Sequence, residues 1–367
     1  MTRAVLPYSR RGNGGIMKGF SFSPHACHNR GRHAASMHPE PPITIRPPGG
    51  SAPRRFLVTG AAGFIGARVA HRLLAEGHSV IGIDAYTTTY DVAEKHARTA
   101  ALTAHPGYSH VRGDLAELPL EPMLDGVDAV FHLAGRPGVR PSFELKGLYR
   151  HDNVDATRCL LAACQASPSV RRLVYASSSS VYGNAPVPFR EVSAPAPISP
   201  YGETKLEAER LCLEADGDRL ETVALRYFTV YGPGQRPDMG LRRFAEAALA
   251  GRPIALLGDG TQSRDFTYVD DVVAATCSAA DAPVGGLAIN IGGGSRITLL
   301  EVFSLLEQLV GRRIKINHEP FARGDVRHTA ADNSRARQLL GFEARIPFPE
   351  GYRREVEWLR AAGSSAA

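Results

Sequence analysis

The amino-acid sequence predicts an α/β fold built on a doubly wound parallel sheet. Three observations predict it. Phe56-Leu-Val-Thr59 is a run of strand formers, a glycine-punctuated turn follows it, and an apolar helical pattern comes next at Val69, Ala70, Leu73 and Leu74. Strand and helix patterns then alternate from Arg54 to about Ser180, the signature of a parallel sheet with helices on both faces. A second strand, Ser79-Val-Ile-Gly-Ile-Asp84, ends in a carboxylate about twenty residues beyond the glycines. The reading places strands at 55–59, 79–84, 108–112, 127–133 and 171–176, with helices at 66–76, 91–104 and 147–167.

Residues 1–53 precede this pattern and show neither helical nor strand periodicity. Rich in Pro, Gly, Arg and His, they cannot bury enough apolar surface to order themselves and read as a disordered basic tail. They lack the apolar core of a secretory signal, and Met17 and Met37 leave a downstream start open. His25, Cys27, His28, His33 and His38 could suggest a metal cluster, but an unstructured tail is the simpler reading, and no metal is expected.

The formal charge of +6 belongs to this tail, which carries seven of the 43 basic residues and one of the 37 acidic ones. The remainder balances, so the basic pI implies no nucleic-acid partner. No run of 18 apolar residues exists to span a membrane. Five cysteines without regular spacing fit reduced thiols and a cytoplasmic location better than a disulfide framework.

In the first turn, Gly60 permits a sharp reversal and Gly63 lets backbone approach a pyrophosphate. Gly66 brings the helix close to the strand, with its positive end facing the anion. Phe64 and Ile65 belong to the same loop. A glycine triad alone also fits an ordinary strand–helix turn, but Asp84 adds a group placed to bind both hydroxyls of a ribose. That carboxylate would repel a 2′-phosphate, which favours NAD over NADP. Asp114 and Leu115, after the third strand, could close over the adenine, although a solvated loop aspartate fits equally. The next strand ends in Leu133, Ala134 and Gly135, small enough for a cofactor to approach the backbone.

The second centre of chemistry is Tyr201-Gly-Glu-Thr-Lys205. A spacing of four puts phenol and ammonium on one helix face, and their proximity is expected to lower the tyrosine pKa toward the range of a general base. Such a pair is common on surface helices. Its weight comes from Val174-Tyr-Ala-Ser-Ser-Ser-Ser-Val-Tyr-Gly183, a strand whose end carries hydroxyls at the cofactor edge of the sheet.

With the glycines, Asp84, the serine run, Tyr201 and Lys205 in this order, residues 54 to about 360 resemble the extended short-chain dehydrogenase/reductase family of NAD-dependent nucleotide-sugar epimerases and dehydratases. The resemblance implies a Rossmann domain at 54–230, rejoined by about 265–290, and a smaller UDP-sugar-binding α/β domain from 231–264 and 291–361. It also implies tightly held NAD, a homodimer, and a triad of Ser178, Tyr201 as base and Lys205 on the nicotinamide ribose. Asn153 and Tyr227 complete the implied cofactor set. Ala85, where the family often has Asn, and Gly135, where it usually has Ala, are departures.

Within the family, three stretches look like UDP-glucuronate 4-epimerases: Tyr90–Lys95, Gly138–Ser142 and Arg226–Met239, the last carrying Arg-Pro-Asp-Met. Family dehydratases have an Asp-Glu pair where this chain has Ser179 and Ser180, neutral groups able to hold a substrate carboxylate. The implied activity is C4 epimerisation of UDP-glucuronate to UDP-galacturonate through a 4-keto intermediate. Ser179, Ser180, Thr229 and above all Arg236 would hold the carboxylate. Arg140 joins the substrate set, Arg264 of Arg-Asp-Phe would grip the diphosphate, and Arg323 would lie over the uridine. Alternatives are a UDP-glucose/galactose 4-epimerase, a UDP-glucuronate decarboxylase and a catalytically silent NAD-binding protein. Thr298 to Glu301 reads as a capping box, and Trp358 as core.

Overall fold

The computed structural model describes residues 52–321 and 324–364. In chain order its first half contains β1 (Arg55–Thr59), α1 (Phe64–Ala75), β2 (Ser79–Asp84), α2 (Val92–Thr103), β3 (Tyr108–Arg112), β4 (Ala129–His132), α3 (Lys146–Arg150), α4 (Ala156–Ala166), β5 (Arg172–Ser178), α5 (Pro200–Glu214) and β6 (Glu221–Tyr227). The second half adds β7 (Thr229–Tyr231), α6 (Gly240–Leu249), β8 (Ile254–Leu257), β9 (Ser263–Tyr268), α7 (Val269–Ser278), β10 (Leu287–Ile291), β11 (Arg296–Thr298), α8 (Leu299–Val310), β12 (Ile316–Glu319), α9 (Ser334–Leu340) and α10 (Phe348–Ser364).

The main sheet has seven strands in the order β3-β2-β1-β4-β5-β6-β10, all parallel. Strand order reverses between β1 and β4, so the crevice beyond their carboxyl ends is where a ligand fits such a sheet. Each face is covered because successive side chains alternate sides. Phe56 and Val58 pack with Val69, Leu73 and Val272 on one face, whereas Leu57 packs with Leu160, Leu161 and Tyr175 on the other. Burying each such side chain contributes about 1.5–3 kcal/mol.

Two small sheets complete the fold: β7 parallel to β9 with β11 antiparallel to β9, and β8 parallel to β12. The capping box forms as read, with Thr298 Oγ1 accepting from Glu301 N at 3.2 Å and Glu301 Oε2 accepting from Thr298 N at 2.7 Å. Trp358 is only partly buried and carries the Arg242 guanidinium 5.2 Å from its ring centre. It is a lid on the core rather than part of it.

Two expected helices differ in detail. α1 begins at Phe64, not Gly66, so Gly63 caps it and Gly66 lies in its first turn. The expected helix at 147–167 is interrupted by a π-helical turn at His151–Asp155, between α3 and α4. A wide turn leaves room for a side chain to leave the helical ladder, and Asn153 lies in it.

The described residues belong to one compact unit, and the tail's histidine and cysteine cluster lies outside the described residues.

Candidate active site

The glycine turn is shaped by two requirements. Gly60 adopts φ +69°, which side-chain-bearing residues rarely take, and a Cβ on Gly66 would meet the Gly60 carbonyl oxygen at 2.1 Å. The loop therefore presents bare backbone at the mouth of α1, over a cleft with a cavity volume of about 480 Å³. That volume suits an extended small ligand.

The cleft wall contains Gly60, Gly63, Phe64, Ile65, Gly66, Asp84, Asp114, Leu115, Leu133, Ala134, Gly135, Tyr201, Lys205 and Tyr227. Asn153 is not on it. Buried behind the wall, its Oδ1 accepts from Arg136 N at 2.6 Å, while Nδ2 donates to Arg136 O at 3.2 Å and Thr204 Oγ1 at 3.0 Å. It holds the end of the fourth strand's loop instead of facing the cavity. The Tyr227 hydroxyl is engaged with Thr276 Oγ1 at 2.7 Å.

Asp84 is buried, with Oδ2 accepting from Ala62 N at 3.1 Å and Oδ1 from Tyr86 N at 2.7 Å. Lys95 joins it. This lysine shares the inner face of α2 with Thr99 and Leu102, and burial pushes its ammonium pKa down against the favourable charge of Asp84. Its spacing of four and seven positions from Thr99 and Leu102 places it on the same helical face as these two.

Tyr201 and Lys205 lie on the first turns of α5, whose start is set by Ser199 Oγ accepting from Gly202 N at 3.1 Å and by Pro200 in the first turn. Ser178 ends β5, and its Oγ accepts from Ser180 N at 3.1 Å. Ser178 and Tyr201, carried by separate elements, both line the cleft.

The Tyr201 pKa is not lowered by Lys205, contrary to the expectation from their spacing. Burial raises the Tyr201 phenol, and the opposing influences are the Ser178 hydrogen bond and the Arg236 charge. Lys205 instead sits 4.3 Å above the Tyr175 ring, with burial pushing its ammonium down to about 8. Behind it Glu209 is buried in a fork with Arg226, at 2.6 and 3.0 Å, and also accepts from Ser177 Oγ.

Ser179, Ser180, Thr229, Arg236 and Arg264 also line the cleft. Arg236 Nε and Nη2 donate to Asp238 Oδ1 and Oδ2 at 3.0 and 2.7 Å. Arg264 donates to the carbonyls of Ser263 at 2.9 Å and Arg327 at 3.1 Å, and has no ion-pair partner among the described residues. Burial lowers its pKa, with Asp325 as the opposing charge. Arg140 is half exposed off the cleft wall and reaches it only through Asp325, 3.2 Å away. Arg323 lies outside the described residues. Arg136, paired with Asp152 at 2.7 Å, and Gln235, which lies within the Arg226–Met239 stretch, also form the wall.

The residues present fit a dinucleotide. Bare glycine backbone faces a helix N-terminus, a carboxylate stands at the end of β2, and a phenol, hydroxyl and ammonium converge at the far end. Asp114, His151 and Asp152 come close enough together to hold a cation, but exposed acids often cluster without one.

Residues 56–292 match the profile of the NAD dependent epimerase/dehydratase family. The chain is similar to a UDP-glucuronate 4-epimerase of Thermodesulfobacterium geofontis, at 40% identity over 309 residues, covering 83% of this chain and 95% of the relative. Among solved structures it is similar to UDP-glucuronic acid 4-epimerase from Bacillus cereus in complex with UDP-glucuronic acid and NAD. There the TM-score is 0.81 and the identity 35%, over 84% of this chain and 99% of that one. It is also similar to MoeE5, solved with UDP-glucuronic acid or with UDP-glucose, each with NAD. That match has a TM-score of 0.76 and 43% identity, over 84% and 99% of the two chains.

Proposed function

This chain belongs to the NAD dependent epimerase/dehydratase family, and from that membership we infer that it epimerises C4 of a UDP-uronic acid, interconverting UDP-glucuronate and UDP-galacturonate. The observation that carries the choice of substrate is the pairing of a cleft-lining Arg236 with neutral Ser179 and Ser180 beside Ser178 and Tyr201. A guanidinium and two hydroxyls suit a carboxylate, whereas a buried acid there would repel it.

NAD, held by the glycine loop and Asp84, supplies reversible oxidation of the sugar alcohol. Tyr201 Oη takes the C4 hydroxyl proton and later returns one, and Ser178 Oγ donates to the oxygen on which charge develops. Lys205, whose ammonium lies over the Tyr175 ring on the cleft wall, holds the nicotinamide ribose. The 4-keto sugar turns over in the cleft before it is reduced on its other face, so redox balances within each turnover. Such an intermediate is a β-keto acid. Arg236, Ser179, Ser180 and Thr229 fix its carboxylate near the ketone plane, which keeps the bond to CO2 out of line with the carbonyl π system.

We assign 54–230 with 265–290 to NAD, and 231–264 with 291–361 to the UDP-sugar. Arg264 binds the diphosphate. A homodimer in the cytoplasm completes the proposal; Leu145 and Leu148, 42% and 47% exposed at the start of α3, support a covered surface there. No helix among the described residues is long and apolar enough to cross a membrane.

Incubation with UDP-glucuronate and with UDP-glucose, without added cofactor, tests the reading by NMR of the products. UDP-galacturonate from the first substrate is expected, and Tyr201→Phe should slow its formation by about 10²–10⁴-fold with NAD still bound. The second reading, a neutral-sugar 4-epimerase, is supported by the UDP-glucose complex of MoeE5. Preferential turnover of UDP-glucose would replace the first reading with it.

A further inference from the structure

Arg236 is held in a way that leaves one particular edge of its guanidinium available. Pro237 restricts the backbone after it, and Met239 N donates to Arg236 O at 3.1 Å, closing a tight turn over 236–239. The turn is anchored from below by buried Gln235, whose Nε2 donates to Val230 O at 2.8 Å and whose Oε1 accepts from Arg242 N at 3.2 Å.

Within that turn the Asp238 carboxylate takes the side edge of the guanidinium, Nε and Nη2 together. Nη2 has a second contact with the weak acceptor Met239 Sδ at 3.6 Å, and Nη1 has no hydrogen-bond partner among the described residues. The two side chains differ in exposure: 14% for Arg236 and 49% for Asp238. The acid thus stands at the rim while the guanidinium lines the cleft.

We propose that Asp238 is a positioning residue for uronate recognition: it grips the side edge of Arg236 so that the end edge, Nη1 with Nη2, is presented to the substrate's C6 carboxylate. The inference rests on the reading of the substrate given above. A free arginine side chain has several rotatable bonds to order on binding, and a guanidinium fixed in advance on one edge loses less on meeting a second carboxylate. A carboxylate entering end-on forms two parallel charge-assisted bonds and displaces only the thioether contact. Arg236 then lies between two acids, with the rim acid screened by water and the substrate acid enclosed. A neutral sugar gains nothing from this arrangement, so Asp238 acts on selectivity rather than on turnover itself.

The test compares kcat/KM for UDP-glucuronate and UDP-glucose in the NAD-loaded wild type, Asp238→Asn, Asp238→Ala and Asp238→Glu. The expected result is a fall of about 10- to 100-fold for UDP-glucuronate in the Asn and Ala variants, partial rescue by Glu, and UDP-glucose turnover within about twofold of wild type. CO2 release per turnover of UDP-glucuronate should rise in the same two variants. Bound NAD and the melting temperature, measured alongside, should stay unchanged because the Asp238 side chain is half exposed. Unchanged selectivity overturns the inference. So does tighter UDP-glucuronate binding in Asp238→Asn, which would make the acid a competitor for the guanidinium, or an equal loss with both substrates, which would make its role structural. A wild type inactive on UDP-glucuronate overturns the substrate reading itself, a result distinct from any of these.

Discussion

Lys95 Nζ lies 3.6 Å from Asp84 Oδ1, each side chain only 7% exposed, at the end of the cleft next to the glycine loop. The pair joins the residue that the spacing after the glycines singles out, at the end of β2, to one on α2. Asp84 alone would set a full negative charge near the diphosphate of the cofactor. Lys95 cancels it, and Arg98 ties the same region together by donating to Ala62 O at 3.4 Å and Gly234 O at 2.9 Å.

Replacing Lys95 with Met should therefore weaken NAD binding by roughly tenfold, since a buried carboxylate left without its cation repels the diphosphate. Calorimetric titration of cofactor-stripped protein measures it. Lys95→Arg should recover part of the loss, and full retention of NAD by Lys95→Met would remove the lysine from the cofactor site.

Arg264 offers a second binding test. A half-buried guanidinium whose protein partners are two carbonyls, with no carboxylate in ion-pair range among the described residues, keeps its charge for an anion. Arg264→Gln is expected to raise KM for the UDP-sugar by about 10- to 100-fold while kcat changes little, because a diphosphate contact far from C4 is made equally in ground and transition states. A loss confined to kcat would contradict the diphosphate assignment.

His132 predicts a component of acid sensitivity. The fully buried ring is bonded to Thr59 Oγ1 at 2.8 Å and Thr157 Oγ1 at 2.9 Å, and burial lowers its pKa to about 3. The folded value lies below the ordinary 6.5, so the unfolded chain takes up the proton first. The stability tied to a neutral ring is present above about pH 6.5 and is lost as pH falls toward 3, by at most about 1.4 kcal/mol per pH unit. Urea unfolding of wild type and His132→Gln from pH 7 to 4 should show their difference shrinking with acid. A constant difference would mean that the ring does not titrate in this way.

Glu355 has the opposite sign. Its Oε2 accepts from Gly232 N at 3.2 Å at the base of the Arg236 loop, its Oε1 is buried without a partner among the described residues, and burial raises its pKa to about 8. Here the folded value exceeds the unfolded one, so the stability it contributes is complete below about pH 4.5 and lost as pH rises through 8. Glu355→Gln, neutral at every pH, should melt near wild type at pH 5 and above it at pH 9. Equal melting temperatures at pH 9 would show that the acid ionises there without cost.

The glycine turn, Asp84, the serine run and the Tyr201/Lys205 pair could all be found in the linear chain because each is a local pattern. Strand alternation, a helical step of four and a turn's need for glycine act between residues close in sequence. The same logic is silent on the surroundings of Asn153: a polar residue in a helical run gives no sign that a π-turn will aim it at Arg136 behind the cleft wall. It misjudged the Tyr201 phenol, whose proximity to Lys205 in sequence counted for less than burial by segments from elsewhere in the chain.

By itself, then, the order of residues determined the sheet, the dinucleotide loop and the candidate proton-transfer group, since backbone preference and side-chain spacing are short-range. Only the tertiary structure decided how the charges are matched. Lys95 meets Asp84 across the β2–α2 connection, and Glu94 meets Arg242 from 148 residues away. Electrostatic strength depends on how much water remains between two groups, and that depends on which distant segments come to cover them.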